Sequence, residues 1–241
     1  MGKPEKETIL NEIASSYYTE EHGFEAILQK YKILEVGKFC RGESMLDVGC
    51  GVGQMARALS GKFKRVVGID GSSVKIEKAN KENKLPNIEY VHTLYEDFEP
   101  KLKFDFIVST NVLEHVDDSV ALLKKLKSWL NPGGLVVVTV PNALALHKRI
   151  GKFMGLINGY YKLTEADYKK GHQRIYDRNL LKKDLIDAGL GVDYIGGILL
   201  KPLPHSQMES WDIRIVDALY EIGHELPDYC SSLIAAGHLT S

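Results

Sequence analysis

The chain has 241 residues, 44% hydrophobic and 26% charged, which is ordinary globular usage and enough for one large α/β domain. Its 31 Lys plus Arg against 32 Asp plus Glu leave a formal net charge of -1. No global field therefore draws it to nucleic acid or to an anionic membrane. The chain opens on charged residues, Met1-Gly-Lys-Pro-Glu-Lys-Glu, with no apolar stretch behind them, so it carries no secretory signal. No apolar run approaches the roughly 20 residues that span a bilayer. The 3 cysteines, Cys40, Cys50 and Cys230, lack metal-ligand spacing and suit a reducing compartment. These features together read as a cytoplasmic protein.

In chain order, helical periodicity runs over 8–18 and 24–39. Apolar runs bounded by breakers then read as strands at 44–48, 65–69, 88–92, 104–109 and 134–140. Helical patterns at 54–59, 73–83 and 118–130 lie between them. Continuous apolar strands joined by helices predict a doubly wound, mostly parallel sheet covered on both faces. Pro132-Gly-Gly134 reads as a turn that launches the fifth strand, and Pro141 ends it. The rhythm breaks from Ala143 to Tyr176, where 143–158 looks like amphipathic helix and 159–176 is rich in Tyr and Lys. It resumes with a helix at 177–188, Gly189 at its C-cap, and a strand at 191–200. A second break with a helix at 210–223 precedes a last strand at 231–238, which makes 7 strands. No repeat or linker divides the chain, so 1–241 is one domain: helices over 1–43, a core at 44–142, and insertions at 143–176 and 201–230.

The stretch Met45-Leu-Asp-Val-Gly-Cys-Gly-Val-Gly53 is an apolar run, an acid, a loop with glycine at alternate positions, and then a helical pattern from Gln54. About 20 residues on, Val66-Val-Gly-Ile-Asp70 ends a second apolar run in a carboxylate, placed for a ribose diol. Gly49, Gly51 and Gly53 give G-x-G-x-G, not the G-x-G-x-x-G that lets a pyrophosphate approach, which argues against a nicotinamide dinucleotide. Asp47 ahead of the loop suits a ligand with positive charge. On these residues, and on Phe104–Val116 and Leu130–Asn142, the chain resembles the class I S-adenosylmethionine-dependent methyltransferases, in the style of their type 11 small-molecule group. The resemblance implies a Rossmann-like fold and S-adenosylmethionine as cofactor. It also implies that the N-terminal helices and the insertions form a lid that defines the acceptor.

The resemblance places Asp70 on the ribose and the segment Thr93–Asp97 around the adenine, where Glu96 or Asp97 accepts from the base or Tyr95 stacks on it. Leu94 and Tyr95 stand where the family more often carries an acid and a small residue. Asn111 falls near the methionine moiety. Gln54 and Ser72 are secondary cofactor candidates, with a helix polar face and a helix N-cap as their alternatives. Cys50 inside the loop is explained by packing.

Methyl transfer needs alignment, exclusion of water and sometimes a base. Four histidines are candidates, His115 and His172 ahead of His147 and His205. His115 follows the fourth strand, with a loop-bonded structural role as its alternative. His172 lies in Gly171-His-Gln-Arg-Ile-Tyr176, which resembles the acceptor-bordering stretch of small-molecule methyltransferases, with packing as its alternative. His147, Arg149 and His205 are weaker candidates, with surface exposure as the favoured alternative for each. Lys148, Arg149, Lys152, Lys162, Lys169, Lys170, Arg174 and Arg178 form either a solvated lid face or, where several turn inward, a site for a phosphate, phosphonate or carboxylate. Tyr17, Tyr18, Tyr160, Tyr161, Tyr168 and Tyr176 read as lid residues over the acceptor. The expectation is an enzyme, a monomer or homodimer without metal. It moves a methyl group from S-adenosylmethionine to an oxygen or nitrogen of a small molecule. RNA methylation and non-catalytic cofactor binding are the alternatives.

Overall fold

A computed structural model describes residues 3–17 and 23–240. Two helices, α1 (Lys3–Tyr17) and α2 (Gly23–Gly37), precede the sheet. The alternation then runs β1 (Ser44–Val48), α3 (Gln54–Leu59), β2 (Arg65–Asp70), α4 (Ser73–Glu82), β3 (Ile88–His92), β4 (Phe104–Thr110), α5 (Ser119–Ser128) and β5 (Leu130–Pro141). It closes through α6 (Leu146–Phe153), α7 (Glu165–Lys169), α8 (Arg178–Asp187), β6 (Leu190–Ile198), α9 (His205–Met208), α10 (Ile213–Glu225) and β7 (Ser232–Leu239). The sheet has 7 strands in the order β3-β2-β1-β4-β5-β7-β6, parallel except that β7 runs antiparallel to β5 and β6. Among the described residues, no helix is long and apolar enough to cross a membrane.

Alternation along the strands explains the two cores. Met45 and Leu46 are both fully buried but point to opposite faces. Met45 joins Phe106, Val108 and Val137 against Leu28 and Tyr31 of α2, whereas Leu46 joins Ile107 and Val136 against Leu122 of α5 and Leu181 of α8. A sheet covered this way is apolar at most positions of its central strands, which is why those strands were visible as largely apolar runs, whereas β3 at the edge alternates.

Several boundaries differ from the sequence reading: α1 starts at Lys3, well before 8, α10 runs Ile213–Glu225 where 210–223 was expected, and two more differ for a visible reason. Pro132-Gly-Gly134 is not a separate turn. β5 already begins at Leu130, which pairs with Phe104, and the proline-glycine segment is absorbed as a register shift before Leu135 pairs with Phe106. The helix expected over 143–158 is confined to Leu146–Phe153. The Ala143 amide is taken by the Tyr176 carbonyl and the Leu144 amide by the Asn142 side chain, so the chain bends before it can coil.

The order of strands reverses between β1 and β4, where neighbouring crossovers leave on opposite faces and open a crevice at the carboxyl edge. The loop after β1 enters it with Gly49, Gly51 and Gly53 all at positive φ. At Gly53 (φ 84°) a Cβ would lie 2.2 Å from the Tyr90 hydroxyl, which itself donates to the Gly53 carbonyl at 3.1 Å. Gly53→Ala is therefore expected to lower stability by about 2 kcal/mol, through backbone strain and displacement of Tyr90. Urea unfolding checks this, and a loss no larger than that of Gly51→Ala, whose Cβ would meet nothing within 4 Å, overturns it.

Candidate active site

A cleft of about 410 Å³ lies at this reversal, within the range of small-ligand sites. Gly49 and Asp70 form its floor, Thr93 to Glu96 one wall, and Asn111, His115 and His172 the far end. The sequence candidates Gly49, Asp70, Tyr95, Glu96, Asn111, His115 and His172 thus meet in one place. Asp47, Gly51, Gly53, Gln54 and Ser72 do not line it. Asp47 is fully buried on β1 beneath the loop. Ser72 is the N-cap of α4: its hydroxyl accepts from the Lys75 amide and donates to Asn11 at 2.7 Å. Gln54 opens α3, with its side-chain oxygen buried and without a hydrogen-bond partner among the described residues.

Asp70 organises the floor. One carboxylate oxygen accepts from the Gly51 amide at 2.9 Å and the other from the Ser72 amide at 2.8 Å, so the acid at the end of β2 holds both the glycine loop and the start of α4. Asn111 sits at φ 53°, a left-handed conformation that asparagine tolerates, and its side-chain oxygen accepts from Thr139 at 3.2 Å. Burial lifts the Tyr95 hydroxyl to about 12 and keeps it neutral. The Cys50 thiol is buried and pushed far up by desolvation, as a packing residue would be.

The roof is α1, contributing Lys6, Ile9, Leu10 and Ile13 to the cleft. The Lys6 ammonium bridges Glu96 at 2.9 Å and Asp117 at 3.0 Å, and Asn11 ties the helix to Ser72 and Ser73. These residues were not singled out from sequence, because a helix before the first strand carries no motif.

The two histidines meet because the segment after α7 clamps onto the one after β4. The Gln173 amide donates to the Glu114 carbonyl at 2.8 Å, its side chain to the His115 carbonyl at 2.8 Å, and Arg174 to the carbonyls of Leu113 and Asp117. The imidazoles of His115 and His172 then stand edge to face, 4.8 Å apart. His172 Nδ1 lies 3.1 Å from Asp167 Oδ1. Burial drives His115 down to about 4 and also lowers His172, so both rings are neutral at pH 7.

Glu114, between Leu113 and His115, is 1% exposed, and neither carboxyl oxygen has a hydrogen-bond partner among the described residues. Desolvation raises it to about 8, so it is a neutral acid at pH 7. Because the folded value lies above the ordinary 4.5, its contribution to stability is full below about 4.5 and is lost as pH rises toward 8. Glu114→Gln is expected to match the parent near pH 4.5 and to exceed it at pH 8.5 by about 4 kcal/mol. Parallel pH-stability curves from urea unfolding would overturn this. Glu114, His115 and His172 also offer three ligand atoms within 4.8 Å of one another, a set able to hold a divalent cation.

Several expected roles are redistributed. His147 and His205, expected at the surface, are half-buried, with His147 Nδ1 and His205 Nε2 enclosed. Arg149 donates to the Leu144 carbonyl and stacks on Tyr229. Three of the tyrosines do not line the cleft: Tyr161 bonds Asp177 at the surface, Tyr168 is 67% exposed, and Tyr176 is a core residue bonded to Asp184. Tyr18 and the side chain of Tyr17 lie outside the described residues.

The geometry fits an adenosyl donor: a carboxylate at the end of β2, a glycine loop whose crest opens onto space at Gly51, and a half-buried aromatic wall at Tyr95. Comparison with known proteins agrees. The profile of a methyltransferase domain matches residues 20–195. The chain is 36% identical over 103 residues to a ubiquinone biosynthesis O-methyltransferase of Bradyrhizobium sp. (strain ORS 278), across 42% of this chain and 41% of that relative. Against the protein of the same name from Rhodopseudomonas palustris (strain BisB5), it is 32% identical over 178 residues, 72% of this chain and 68% of the other. Among solved structures, an S-adenosylmethionine-dependent methyltransferase from Mesorhizobium loti superposes with TM-score 0.65 at 19% identity, covering 87% of this chain and 99% of that one. The N-methyltransferase NodS from Bradyrhizobium japonicum WM9, in complex with S-adenosyl-L-homocysteine, does so with TM-score 0.61 at 15% identity over 97% of both chains. At such identities these two structures speak to the fold.

Proposed function

Because the chain belongs to the class I S-adenosylmethionine-dependent methyltransferases, we propose that it methylates an oxygen of a small-molecule acceptor, with His172 as the base. The observation that carries this reading is the meeting of Asp70, the glycine loop and a carboxylate-backed histidine in one roofed cleft. S-adenosylmethionine supplies the methyl group, already activated on a sulfonium, so the protein need only bind, orient and keep water out. Asp70 binds the ribose diol, the backbone of Gly49 and Gly51 lies along the methionine end, and the wall from Thr93 to Glu96 holds the adenine. Asn111 marks the turn toward the acceptor.

His172 is suited to remove a hydroxyl proton. Asp167 accepts from Nδ1–H, which leaves the lone pair of Nε2 for the acceptor. His115, neutral beside it, shapes the acceptor end without competing for the proton. Oxygen is favoured over nitrogen by this base and by the names of the curated relatives. The test is incubation of the enzyme with cell extract and methyl-labelled S-adenosylmethionine, followed by mass spectrometry. A labelled small molecule carrying an O-methyl group is the expected product. Label confined to RNA or protein overturns the reading.

A further inference from the structure

Resting on the methyl-transfer reading above, we propose that Glu114, His115 and His172 hold a first-row divalent cation whose open side takes the acceptor oxygen. One ligand atom from each residue lies within 4.8 Å of the other two. His115 Nε2 stands 3.9 Å from Glu114 Oε1. A zinc-sized ion sits about 2.0–2.2 Å from nitrogen and oxygen ligands, which places its ligand atoms roughly 3–4 Å from one another. The His115–Glu114 pair is already at that spacing, and the widest pair has about 1 Å to close.

The buried carboxyl is what points to a ligand. Glu114 is 1% exposed, and both of its oxygens lack a hydrogen-bond partner among the described residues. Folds seldom leave such a group unpartnered, because desolvation without compensation is costly. The cations in whose field it lies, Lys32 and Arg174, form no hydrogen bond with it, and Arg174 is spent on the carbonyls of Leu113 and Asp117. A dication beside the carboxyl would keep it ionised, as bound cations do for the groups that ligate them.

Both imidazoles are already aimed. Asp167 holds His172 at Nδ1 from 3.1 Å, and the Gly171 backbone holds His115. A carboxylate or carbonyl on one ring nitrogen is the usual second partner of a metal-bound histidine, and it turns the other nitrogen toward the ion. The two rings line the cleft whereas Glu114 does not, so an ion among them has protein behind it and the acceptor end in front. Two imidazoles and a carboxylate suit first-row ions such as Zn²⁺, Co²⁺ and Mn²⁺. The metal-free expectation rested on the cysteines, whose spacing carries no ligand set, and the histidines join only through the Gln173–Arg174 clamp.

In the loaded protein the Nε2 lone pair of His172 belongs to the ion, which takes over from the imidazole the task of acidifying the hydroxyl. The acceptor O–H gives its proton to water, the oxygen pair forms the bond to the methyl carbon, and the carbon–sulfur pair returns to sulfur. Loss of His172 harms transfer on either account. Glu114 and His115 tell the two apart, because only the ion needs them as ligands.

The test titrates tag-free, chelator-stripped protein, saturated with S-adenosylhomocysteine, with Zn²⁺ and with Mn²⁺ by calorimetry. One ion per chain is expected for the parent. Glu114→Gln and His115→Gln are each expected to weaken it at least about 100-fold, the upper end of what loss of a ligand's second partner costs, while S-adenosylhomocysteine affinity stays within about twofold. Asp167→Asn, which alters only that second partner, is expected to weaken it about 10- to 100-fold. Glu114→Gln keeps the shape of the side chain and relieves a buried acid, so folding does not obscure the result. With the acceptor found by the labelling experiment, stripped parent is expected to lose most transfer and to regain it on adding the ion, and stripped Glu114→Gln is not. Absence of ion binding by the parent, or an affinity that both variants retain, overturns the site. Full transfer by the stripped parent overturns the role of the ion and leaves His172 as the base. Failure of the parent to bind S-adenosylhomocysteine overturns the reading beneath it.

Discussion

His172→Gln is expected to lower kcat by about 10²- to 10⁴-fold at neutral pH, the usual worth of a positioned base, with S-adenosylhomocysteine affinity unchanged within about twofold. The expectation rests on three features of the histidine. It lines the acceptor end of the cleft, Asp167 fixes its tautomer from 3.1 Å, and burial holds its protonation below the ordinary 6.5. The ring is consequently ready to accept a proton throughout the physiological range. On the acid side, parent activity should fall below pH 6.5 as His172 protonates, and that limb should vanish from what activity the variant retains. Asp167→Asn should have a smaller effect in the same direction, because the base survives but its tautomer is no longer set. Single-turnover rates across pH 5–9 check this. A kcat unchanged in His172→Gln would show that the acceptor needs no deprotonation there.

Asp70→Ala is expected to weaken S-adenosylhomocysteine by about 5- to 150-fold, or 1–3 kcal/mol, and to destabilise the apo protein by a further 1–3 kcal/mol or so. The second effect is visible in the structure. Both oxygens are in use, on the amides of Gly51 and Ser72, and truncation leaves two buried donors unsatisfied at once. The loop loses its anchor to β2 just where its backbone must lie along the ligand. Asp70→Asn separates the two roles, since the amide oxygen can still accept from one of the amides while the charge is gone. Calorimetry and urea unfolding on the same preparations give both numbers. Undiminished affinity in a folded Asp70→Ala variant would remove the ribose from this carboxylate.

What was legible in sequence follows from which signals are local. The central strands lie in a sheet buried on both faces and so read as mainly apolar runs, the edge strand β3 reads as an alternation, and β1 to β4 appear within a residue of their expected bounds. The glycine loop and Asp70 were legible because their backbone geometry admits few residue types. The roof was not, since Lys6 meets Glu96 and Asp117 only after the chain has folded across the sheet edge. Glu114 was read as part of a motif and not as a chemical group, because its burial comes from the Gln173–Arg174 clamp nearly 60 residues away.

Lys6 fastens the first helix over the cleft through two half-exposed ionic contacts, one to each bank. Ions in the medium compete for such contacts and leave the buried chemistry beneath almost untouched. The seating of the first helix should therefore respond to ionic strength, through contacts that added salt weakens.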